Sequence, residues 1–77
     1  MKQGRRSHLL PSNEWANSRL CFGIKLLQGK AGFSDFDNAV SEAVSIRWAL
    51  ANAGMWWQAK KLDEWINVTK KKGDFLI

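Results

Sequence analysis

Seventy-seven residues make a single domain, and a chain this short buries only about 60–65% of the surface its unfolded form exposes. With 45% hydrophobic and 25% charged residues it is too apolar for outright disorder. One cysteine excludes an internal disulfide and favours a reducing compartment.

The net charge of +5 is unevenly placed. Lys2, Arg5 and Arg6 sit at the start, and Lys70, Lys71 and Lys72 sit against Asp74 at the end. Between residues 7 and 69 six basic residues balance six acidic ones, so the excess belongs to the termini and not to the body. The opening Met1–Arg6 resembles a signal-peptide n-region, but Ser7-His8-Leu9-Leu10-Pro11 is no apolar core to follow it. The uncharged run from Trp48 to Gln58 is too short to span a bilayer. The chain reads as soluble and cytoplasmic, with no membrane span.

In chain order, Ser7–Pro11 leads into a first helix over about 12–28, with Ser12 as N-cap and Glu14 in the first turn. Ala16, Leu20, Ile24 and Leu27 recur on one face, Gly23 lies beside them where another helix could approach closely, and Gly29 ends the helix. Trp15, Phe22 and Leu26 form a second apolar stripe on the same helix. Cys21, in this apolar setting, reads as a small hydrophobe.

Residues 29–33 read as a loop. Ser34, with Asp37 three residues on, resembles a capping box opening a second helix over 34–53. Its apolar positions Phe36, Ala39, Val40, Ala43, Ile46 and Leu50 make a wide face, extended by Val44, Trp48 and Ala51. A face this wide predicts a central helix between two neighbours. Arg47 lies inside that arc and must either reach solvent or pair with an acid.

Gly54 separates this from a third helix over 55–70, where Met55, Ala59, Leu62, Ile66 and Thr69 form the core stripe. Trp57, Lys61, Trp65, Val68 and Lys72 follow an adjoining face of the same helix. Gly73–Ile77 is an apolar tail that either folds back or stays loose. The fold expected is therefore all-α, a small three-helix domain with basic, mobile termini and no strand.

Little in the chain resembles catalytic chemistry. His8 and Cys21 stand thirteen residues apart with no further ligand set, so no metal site is expected, and no cofactor motif occurs. Asp35 and Asp37 suit a helix start, and Asp63 and Glu64 suit local ion pairs with neighbouring lysines. An enzyme is not expected.

Five tryptophans, each with roughly 200 Å² of surface, exceed what so small a core can hide. Some must face solvent, where Trp commonly anchors a partner. The stripe Trp57/Lys61/Trp65/Val68/Lys72, with Trp56 beside it, is the expected docking surface for another protein, and the chain reads as an inhibitor or adaptor. The competing use of that stripe is internal, packed against Trp15/Phe22/Leu26. A second functional reading is nucleic-acid binding, weak and nonspecific, through Arg5, Arg6, Lys60, Lys61, Lys70, Lys71 and Lys72 with stacking on the indoles. A helix-turn-helix about Gly54 would place Gln58 as its base-reading residue.

Overall fold

The computed structural model describes residues 12–77, and His8, Arg5 and Arg6 lie outside them. Three helices follow one another, α1 (Asn13–Leu27), α2 (Phe36–Asn52) and α3 (Trp56–Lys72), with no strand among the described residues. Each helix packs against both others. α2 therefore does lie between two neighbours, but α1 and α3 also meet directly.

The local chemistry of the chain accounts for where the helices begin. Ser12 caps α1 as expected, its hydroxyl accepting the Trp15 N–H at 3.1 Å. The start of α2 departs from expectation. Asp35, not Ser34, is the N-cap, and its carboxylate accepts the Asp37 N–H at 3.1 Å. An aspartate caps as well as a serine, and here extended backbone at Asp35 places its carboxylate over the first turn.

α1 and α2 end in the same way. The Lys30 and Gly29 N–H groups reach back to the Lys25 and Leu26 carbonyls, and those of Met55 and Gly54 reach back to Leu50 and Ala51. This paired closure requires a left-handed residue, supplied by Gly29 at φ 74° and Gly54 at φ 79°. The three-residue link at 53–55 makes α2 and α3 antiparallel neighbours, which leaves α3 running alongside α1 in the same direction.

The core is Ala16, Leu26 and Leu27 of α1, Ala39, Ala43, Ile46 and Leu50 of α2, and Ala59, Leu62 and Ile66 of α3. Burying these side chains at about 25 cal/mol per Å² of apolar surface is the main force holding the helices together. On α1 the buried set falls between the two expected stripes. Ala16 and Leu27 come from one and Leu26 from the other, while Leu20, Ile24 and Phe22 are partly covered.

Cys21 is exposed, contrary to its reading as a core hydrophobe. At about 100° per residue it lies nearly opposite Gly23 and Leu27 on the helix circumference. Trp48, expected to extend the buried face of α2, is 57% exposed for the same reason. The core line Ala39/Ala43/Ile46/Leu50 turns Trp48 almost directly outward.

The C-terminal end is not a mobile arm. Lys70, Lys71 and Lys72 form the last turn of α3, one turn beyond the expected end. Beyond Gly73 the tail folds back. The Leu76 N–H donates to the Leu27 carbonyl at 2.8 Å, and Phe75 meets Phe36 edge-to-face with centroids 5.4 Å apart. The apolar Phe75 finds cover between α1 and α2, which holds the segment down.

Candidate functional site

α3 packs along three lines of residues. Gln58, Ala59, Leu62, Ile66 and Thr69 are buried. The Thr69 hydroxyl donates to the Trp65 carbonyl at 2.7 Å, so its polar atom is satisfied inside the core. Gln58 faces α1 and donates to Asn17 Oδ1 at 3.0 Å. Asp63 faces α2, where its carboxylate lies 3.4 Å from Arg47 Nε and accepts from Asn67 at 3.3 Å.

These contacts assign the two acids expected to pair with neighbouring lysines. Asp63 pairs across the bundle with Arg47 instead, because it lies on the flank turned to α2. The Arg47 Nε contact lacks hydrogen-bond geometry, and the guanidinium also sits 5.5 Å from the Trp48 ring centre. Arg47 thus does both things its position allowed, pairing with an acid and spreading over an aromatic face. Glu64 lies further round, on the outward side.

The outward side of α3 carries Trp57, Lys60, Lys61, Glu64, Val68 and Lys71. Trp57 is 62% exposed and Val68 56%, on one line along the helix. Lys61 Nζ rests 5.7 Å from the Trp57 ring centre, a cation–π contact one turn along. Two shallow hollows follow one another on this face. One, of about 170 Å³, is lined by Trp57, Lys60, Lys61 and Glu64. The other, of about 250 Å³, is lined by Glu64, Trp65, Val68 and Leu76. Glu64 is the wall they share.

The expected stripe is therefore divided. Trp57, Lys61 and Val68 are presented outward together. Trp65 is partly buried and packs on the core, as do Phe22 and the buried Leu26, so the internal use of the stripe holds for Trp65 alone. Lys72 is exposed, but its ammonium donates to the Phe75 carbonyl at 3.0 Å and helps hold the tail. Trp56, 70% exposed, does not share a line with Trp57. Consecutive residues diverge by about 100°, and Trp56 falls on the flank that carries Asp63.

Two members of this surface escaped sequence reasoning. Leu76 forms a wall of the larger hollow only because the tail folds back, and no periodicity links a tail residue to a helix. Glu64 was readable as a surface acid, but not as the one between two hollows.

The basic residues do not converge on one groove. Lys60, Lys61 and Lys71 face outward on α3, and Lys70 lies toward the α2 flank. Gln58, the residue a recognition helix would have turned to a base edge, is buried and held by Asn17.

No helix among the described residues is long and apolar enough to cross a membrane. No protein-family model, curated protein or solved structure matches this chain.

Proposed function

We propose that the chain is a small non-catalytic protein-binding module, an inhibitor or adaptor that docks another protein through the outward face of α3. The observation that carries this reading is the exposure of Trp57 and Val68 on one line, above two adjoining hollows. A bulky indole held on a rigid helix, ringed by long amphipathic side chains, has the composition of an interface anchor. The acids that might have served catalysis have structural tasks instead: Asp35 caps α2 and Asp63 pairs with Arg47. A reducing, cytoplasmic setting fits an exposed lone thiol at Cys21.

The test is affinity capture from the source cell with the wild-type chain and Trp57→Ala, each with and without nuclease. A protein retained after nuclease treatment and lost with Trp57→Ala supports the reading. Capture that disappears with nuclease replaces it with nucleic-acid binding through the same lysines. Capture indifferent to Trp57 removes α3 as the docking face.

A further inference from the structure

Resting on that docking reading, we propose that the occupant of the α3 face is an acidic amphipathic helix of a partner protein. The charge around the hollows is one-sided. Lys60 and Lys61 line the smaller one, Lys71 and Lys72 lie further along the same side, and Glu64 is the acid among them. Asp63, the other acid of this helix, is engaged by Arg47 on the α2 flank. A partner carrying carboxylates along its edges complements four ammonium groups, and a basic one is repelled by them.

Shape selects a helix. The hollow lined by residues 57–64 and the one lined by residues 64–68 with Leu76 are centred about 8 Å apart along α3. Apolar side chains spaced between one and two turns on a neighbouring helix span that distance. An extended segment would bring backbone N–H groups needing acceptors, and this face offers them ammonium groups and a single carboxylate. A helix satisfies its own backbone and presents only side chains. The apolar walls Trp57, Trp65, Val68 and Leu76 would take its apolar stripe, with Lys60 and Lys61 on one edge.

Glu64 gives the proposal a signature. Standing between the hollows, it repels an acidic partner, so reversing its charge should tighten binding while reversal at the lysines should loosen it. The experiment uses a labelled 18-residue peptide with leucines on one face, glutamates on both flanks and alanines behind. A twin peptide carries lysine in place of every glutamate. Anisotropy is followed on the wild-type chain, Glu64→Lys, Trp57→Ala and the pair Lys60→Glu/Lys61→Glu, with circular dichroism verifying that each variant is folded.

Expected is saturable binding of the acidic peptide, severalfold tighter with Glu64→Lys and at least tenfold weaker with Trp57→Ala or the lysine reversals. The lysine twin should bind at least tenfold more weakly than the acidic peptide. No binding of the acidic peptide, or equal binding of both, overturns the proposal. If cellular capture still depends on Trp57 in that event, the docking reading survives and only the partner's chemistry falls. Tighter binding of a fifteen-nucleotide thymidine strand than of the peptide, lost with the same lysine reversals, overturns both.

Discussion

Gly23 of α1 lies directly against Leu62 of α3: a Cβ at position 23 would stand 2.8 Å from both Leu62 methyl carbons. Both residues are buried, and Leu62 is enclosed completely. The absence of a side chain at 23 thus lets Leu62 fill the space between the two helices. This is where α1 and α3 come closest to sharing one volume, and it fixes the rotation of α3 that turns Trp57 outward.

Gly23→Ala therefore sets two effects against each other. Overpacking costs about 1–3 kcal/mol, while replacing a mid-helix glycine by alanine returns up to about 1 kcal/mol. The expected result in urea unfolding is a net destabilisation of up to about 2 kcal/mol. In a Leu62→Ala background the clash is gone, and the same substitution should stabilise by about 0.5–1 kcal/mol. This change of sign, read by a double-mutant cycle, isolates the contact. Additivity of the two substitutions would show that Gly23 and Leu62 are not coupled.

Leu62→Ala alone should cost about 2–5 kcal/mol, because its methyl groups are removed from a sealed core. Trp57→Ala removes a larger side chain yet should change stability by no more than about 0.5 kcal/mol, since its ring is mostly in water. Denaturant melts of the two variants side by side measure this. Equal losses would mean that Trp57 is a core residue in solution.

At the start of α2, Asp35→Ala should cost about 1 kcal/mol, because the first-turn Asp37 N–H loses its acceptor. Ser34→Ala, one position earlier, should lie within about 0.5 kcal/mol of wild type. Thermal unfolding of both variants distinguishes the observed cap from a capping box built on Ser34.

The folded-back tail makes Gly29 and Gly54 unequal. Both sit at positive φ, where an alanine costs about 1–2 kcal/mol. At Gly29 the added Cβ would also meet Phe75 Cγ at 3.2 Å, whereas at Gly54 no atom lies within 4 Å. Gly29→Ala should therefore destabilise more than Gly54→Ala, and the excess should vanish when Phe75 is also changed to Ala. An excess that persists without Phe75 would place its origin in the turn and not in the tail.

The sequence alone determined the three helices and their punctuation. Local chemistry is sufficient there: Ser12 caps within its own turn, Gly29 and Gly54 supply backbone that other residues adopt only with strain, and the 3–4 spacing of Ala59, Leu62 and Ile66 marks one side of α3. The outward direction of Trp57 followed from the same periodicity. Periodicity could not say which of several apolar arcs is covered. Trp48 and Cys21 belonged to wide apolar helices, and their exposure was decided by where the neighbouring helices lie. Likewise, Asp63 could have paired with a lysine one turn away, but the approach of α2 gave it Arg47. The division of the aromatic stripe into a packed Trp65 and an exposed Trp57, and the wall that Leu76 adds to the larger hollow, depend on contacts between residues far apart in the chain. Such contacts are selected by the packing of the whole domain, where one helix's cover is another helix's surface, and no local pattern encodes them.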